Sequence, residues 1–90
     1  MAQMYNPQEI ISKANAMKEQ SSQLQKMIQE MSSIVSDMSS VWKSPAQQSF
    51  TSKFSEIEPE LMSFVTSINR FADRATEQAQ AVIKSEEGPV

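Results

Sequence analysis

From Asn6 onward, apolar residues recur at alternating spacings of four and three: Ile10, Ala14, Met17, Leu24, Ile28, Met31, Val35, Met38 and Trp42, with Ser21 the one polar member of the series. A second series with the same rhythm runs through Phe50, Phe54, Ile57, Leu61, Phe64, Ile68, Phe71, Ala75 and Val82, interrupted by Gln78. Such spacing places side chains on one stripe of an α-helix, so the pattern predicts two helices, each with a heptad seam. Off these seams stand further apolar residues at intervals of seven: Met27, Ile34 and Val41 on the first helix, and Val65, Ala72 and Ala79 on the second. Two helices need only one seam to close on each other. The wider stripes therefore predict a second contact, in which two hairpins pair as an antiparallel four-helix bundle.

The helix starts are written in capping residues. Asn6, Pro7 and Glu9 have the form of an N-cap, a first-turn proline that gives up an N–H with no intrahelical acceptor, and a capping-box carboxylate. Ser44, Pro45 and Gln47 repeat that grammar at mid-chain. The expected architecture is all-α: a single helical-hairpin domain over residues 1–90, with a helix over about 7–41, a turn over about 42–44, a helix over about 45–83 and a frayed tail over 84–90. A turn this short leaves only antiparallel packing. At 1.5 Å per residue the first helix is roughly 50 Å long, so the molecule is a rod. Pro59 falls inside the second helix, where the apolar register continues across it from Ile57 to Leu61, which predicts a bend and not a break.

Composition narrows the chemistry. The chain of 90 residues contains no Cys and no His, which removes thiolate and imidazole metal sites, disulfides, and the nucleophile pairs that depend on those residues. Glu56, Glu58 and Glu60 are the densest carboxylate group and read as a solvated helix face, and Ser44 has no base to activate it. No catalytic, cofactor-binding or metal site is assigned, and the chain is not expected to be an enzyme. A net charge of −3, with no cluster of Lys or Arg, argues against nucleic acid as a partner and against a membrane-lying amphipathic hairpin. The longest runs without charge, Leu61 to Asn69 and Ser44 to Ser52, hold nine residues each, against the roughly 18 to 20 apolar residues of a membrane-spanning helix. The N-terminus lacks the basic and apolar regions of a secretory signal peptide. A folded chain of this size buries only about 60% of its unfolded surface, which again favours a partner chain.

Val41-Trp42-Lys43-Ser44-Pro45-Ala46, a Trp at the turn between two heptad helices, followed by Phe50 and by Phe54 to Pro59, resembles the hundred-residue WXG family. These are the ESAT-like small proteins exported by type VII secretion systems of Gram-positive bacteria and mycobacteria. In this resemblance Trp42, Ser44 and Ala46 form the turn motif, with Ser44 standing where the family has Gly two residues after Trp. The family's C-terminal export signal, an aromatic or hydrophobic residue four before an acid, has no clean counterpart, although Val82 stands four before Glu86.

The resemblance implies a small secreted helical hairpin that serves as a substrate or secretion partner of a type VII system and acts as a homodimer. Its expected partners are another copy of itself or a related WXG-type hairpin, together with the type VII secretion ATPase. Its expected location is outside the cell, reached without a signal peptide and after a cytoplasmic pool. The alternative is a cytoplasmic targeting partner that pairs with the helical N-terminal domain of a larger type VII toxin. For either, the residues expected to build the hairpin and dimer interfaces are Leu24, Met27, Ile28, Met31, Ile34, Val35 and Met38 on the first helix. On the second they are Phe50, Phe54, Ile57, Leu61, Phe64, Val65, Ile68 and Phe71.

Overall fold

In a computed structural model, which describes residues 5–87, the chain forms two α-helices and, among the described residues, no strand. Helix α1 spans Pro7–Val41 and helix α2 spans Pro45–Glu87. At the start of α1 the Asn6 side chain accepts the backbone N–H of Glu9 at 3.1 Å, which satisfies one of the donors a helix N-terminus leaves free. Ser44 does the same for α2, its Oγ accepting the N–H of Gln47 at 3.2 Å while its carbonyl accepts the N–H of Gln48 at 3.1 Å. The Gln47 side chain does not return to the cap; its amide donates to the Thr51 hydroxyl at 2.7 Å.

Between the helices the chain reverses in three residues. Trp42 is the C-cap of α1 with extended backbone, φ −134° and ψ 112°, and its N–H still reaches the Met38 carbonyl at 2.9 Å. No described residue has a positive φ, so the turn is made by an extended Trp42 and a capping Ser44 ahead of Pro45, without the conformational freedom of glycine. Ser44 therefore replaces glycine at no cost in backbone strain.

Helix α2 runs without interruption through Pro59, which lacks the N–H that Ser55 would otherwise receive. It also continues to Glu87, beyond the fraying expected from residue 84. After Pro59 the sequence has no Gly or Pro until Gly88, and Lys84 in the last turn opposes the negative end of the helix dipole. Residues 88–90 of the expected tail lie outside the described residues.

The two helices lie antiparallel in a body of 71 × 22 × 20 Å with a radius of gyration of 20.3 Å, where a compact chain of 90 residues would have about 12 Å. Its core is one seam wide. On α1 the buried residues are Ala14, Ser21, Ile28 and Val35, seven apart throughout; on α2 they are Gln47, Val65, Ala72 and Ala79, with Thr51 and Glu58 half-buried on the row of Val65. Small side chains dominate at both helices, so the backbones approach closely. Ser21 Oγ donates to the Val65 carbonyl at 3.5 Å, and among the described residues no buried side-chain polar atom lacks a partner. An ion pair, Lys18 Nζ to Asp73 Oδ1 at 2.7 Å, links the helices at an exposed position.

This seam corrects the expected assignment on α2. Val65, Ala72 and Ala79, read from the sequence as flanking residues, form the hairpin's interior, whereas Phe50, Ile57, Phe64 and Phe71, read as the seam, are exposed. Glu58, expected on a solvated face with Glu56 and Glu60, lies on the seam row and is half-buried.

Candidate functional site

The largest apolar side chains of the hairpin are on its outside. On α1, Met27, Met31, Ile34, Met38 and Val41 are exposed, with Ile10, Met17 and Leu24 half-buried beside them. On α2, Phe50, Ile57, Phe64 and Phe71 repeat every seven residues and are exposed, next to half-buried Phe54, Leu61, Ile68, Ala75 and Val82. A heptad step keeps each of these sets in one straight row along its helix.

Both sets fall on the same face of the hairpin. Ile10, Ala14 and Met17 of α1 share a groove of about 390 Å³ with Phe71 and Ala75 of α2. Further along, Met17, Leu24 and Met27 share another with Ile68. The antiparallel geometry carries this relationship along the whole rod. Between Ile10 and Val82 these rows hold one charged residue, Lys13, and three polar ones, Gln20, Gln47 and Gln78. The Lys18–Asp73 pair belongs to the other side of the seam, where α1 presents Lys18, Gln25, Ser32 and Ser39.

Of the residues expected at interfaces, Ile28, Val35 and Val65 are in the hairpin seam. Leu24, Phe54, Leu61 and Ile68 are half-buried at the border between seam and outer face, and Met27, Met31, Ile34, Met38, Phe50, Ile57, Phe64 and Phe71 make up the outer face itself. Ala14, Ser21, Ala72 and Ala79 were absent from that set. The signal for them was present in the sequence, as small residues spaced by seven on each helix, which is what close approach of two backbones requires.

Trp42 is 45% exposed. Having left the helical path at the C-cap, it does not continue the apolar series of α1 as its last seam residue. Ala46 is exposed on the first turn of α2, and Ser44 is half-buried.

The chain exposes 7271 Å² of surface, against about 5,300 Å² for a compact monomer of 10.1 kDa. The difference, about 2,000 Å², exceeds the roughly 800 Å² that one partner contributes to an interface of standard size. The excess is total surface and follows from the elongated shape; what marks an interaction surface is that the exposed large apolar side chains form contiguous rows within it. Among the described residues no group of side chains is arranged to hold a metal ion, and no helix is long and apolar enough to cross a membrane.

A family model described as proteins of 100 residues with WXG matches residues 3–87, and the chain belongs to that family. Its members are small helical proteins, in general non-enzymatic, that type VII systems secrete without a signal peptide. No curated protein and no solved structure matches the chain.

Proposed function

We propose that this hairpin is a substrate or secretion partner of a type VII system and works as a homodimer, two hairpins closing face to face into an antiparallel four-helix bundle. The observation that carries this reading is the outer face itself: Phe50, Ile57, Phe64 and Phe71 on one helix, beside Met27, Met31, Ile34 and Met38 on the other, all left exposed by the hairpin.

The face has the symmetry that self-pairing needs. A twofold interface requires a surface complementary to itself, with each residue and its counterpart exchanging places across the axis. The α1 rows run from Ile10 to Val41 and are centred at Gln25 and Lys26; the row from Phe50 to Phe71 is centred at Glu60 and Leu61. Because Ser21 is level with Val65, these two centres lie at the same height in the hairpin. A twofold axis at that height, perpendicular to the rod, sets α1 against the partner's α1 and α2 against the partner's α2. Ile34 then meets the partner's Met17, Leu24 its Met27, Phe50 its Phe71 and Ile57 its Phe64. These four pairs are apolar on both sides, while Met31 and Met38 meet the partner's Gln20 and Lys13.

Sedimentation equilibrium of the purified chain tests the pairing. The expected result is a species of twice 10.1 kDa at micromolar concentration. A monomer throughout would overturn the homodimer; a chain unfolded alone and folded only with a neighbouring protein would make it the targeting partner of a larger toxin. Engineered cysteines test the axis in a chain that has none. Leu61→Cys should cross-link between copies, whereas Phe50→Cys should do so only when mixed with Phe71→Cys. Loss of the protein from the culture medium on deletion of the type VII ATPase tests the secretion role.

A further inference from the structure

The two halves of the outer face differ in chemistry. The α2 half is aromatic and aliphatic, inert to mild oxidants, whereas the α1 half carries Met27, Met31 and Met38, the exposed methionines among the described residues of a chain without cysteine, and half-buried Met17. Methionine takes up oxygen according to its exposure, and the sulfoxide is polar where the thioether was apolar. Here that change falls on the surface through which the chain pairs.

We propose that Met27 is an oxidation site that switches pairing off, with a peroxide as the oxidant. In the unpaired chain Met27 is 57% exposed. Its sulfur attacks the peroxide, the O–O bond breaks and an S–O bond forms; sulfur loses two electrons, and hydrogen peroxide leaves as water. In the paired chain the same sulfur is covered, so pairing protects what oxidation would otherwise remove. This inference rests on the twofold pairing argued above.

That register separates Met27 from Met31 and Met38, and exposure separates it from Met17, which is half-buried and set against the partner's Ile34. Met31 is set against the partner's Gln20 and Met38 against the partner's Lys13, so a sulfoxide oxygen at either position meets an amide or ammonium N–H. Met27 is set against the partner's Leu24, beside the axis, where an added oxygen must either stay unpaired against that apolar side chain or turn to the Gln20 and Gln23 amides along its own groove and give up the contact. The twofold doubles the effect, since both copies carry it.

The test treats the full-length chain with hydrogen peroxide at a concentration where it is unpaired, maps the added oxygen by peptide mass spectrometry, and measures self-association by sedimentation. Oxidised wild type should show a dissociation constant raised by about a hundredfold. Met17→Leu/Met31→Leu/Met38→Leu, which keeps Met27 as the one methionine of the face, should lose pairing to the same extent. Met27→Leu, a swap of nearly equal volume, should pair before and after treatment. Methionine sulfoxide reductases should restore the wild type. Oxidised wild type that pairs like the untreated chain, or a Met27→Leu variant that loses pairing on treatment, would overturn the proposal. An untreated chain that never pairs, at any concentration, would instead overturn the homodimer reading and this inference with it.

Discussion

Val65 is 3% exposed and Phe64, the residue before it, is 58% exposed, so the larger of two neighbouring apolar side chains faces away from the hairpin's own interior. The Val65 carbonyl meanwhile receives the Ser21 hydroxyl, which fixes the height of α2 against α1. One residue serves the hairpin and the next serves whatever covers it. Phe64→Ala should therefore leave the helix content of the dilute chain unchanged while weakening self-association by about 2 kcal/mol or more, the scale of a central interface aromatic. Circular dichroism at low concentration and sedimentation at high concentration read the two effects separately.

Ile34→Asp should abolish the homodimer. Ile34 is exposed in the hairpin, so the carboxylate is hydrated there and the fold tolerates it; in the pair it would be buried against an apolar side chain without a partner. A melting temperature that rises with protein concentration in the wild type, and no longer does so in this variant, is the expected outcome.

Trp42→Ala should destabilise the hairpin by about 1 to 2 kcal/mol, below the 3 to 5 of a fully buried aromatic, because nearly half of Trp42 is already in water and its backbone cap on Met38 survives the substitution. Urea denaturation at a concentration where the chain is unpaired checks this. A larger loss would mean that the indole holds the turn.

Ala72→Leu should cost about 1 to 3 kcal/mol or more, since Ala72 has no exposed surface and faces a seam of small residues, leaving no volume for three further carbons. Ala46→Leu, at an exposed position on the same helix, is the control and should change stability by less than about 0.5 kcal/mol. Thermal melts of both variants decide it.

The hairpin and its capping residues were legible in the sequence because they depend on local chemistry. Asn6 and Ser44 each bond an N–H three residues on, and no distant contact is needed to recognise them. Which stripe of α2 faces α1 was not legible in the same way. The rows of Phe64 and of Val65 share the heptad period, and ranking them by hydrophobicity puts the phenylalanines inside. Geometry decides otherwise. Ala14 and Ser21 on α1 leave space for a close neighbour, and only Ala72, Ala79 and Val65 are slim enough to enter it. On α1 the ambiguity was smaller, since Ala14, Ile28 and Val35 fall in the seam under either reading.

The rod shape bears on how pairing would appear in solution. A body of 71 × 22 × 20 Å is more than three times as long as it is wide, so the lone hairpin suffers the drag of a larger sphere. A second hairpin laid along its face doubles the mass while adding thickness and almost no length. The frictional ratio therefore falls on association, and the Stokes radius grows much less than a doubling of mass implies. Diffusion alone makes the single chain look associated and the pair look compact; only a quantity proportional to mass separates them.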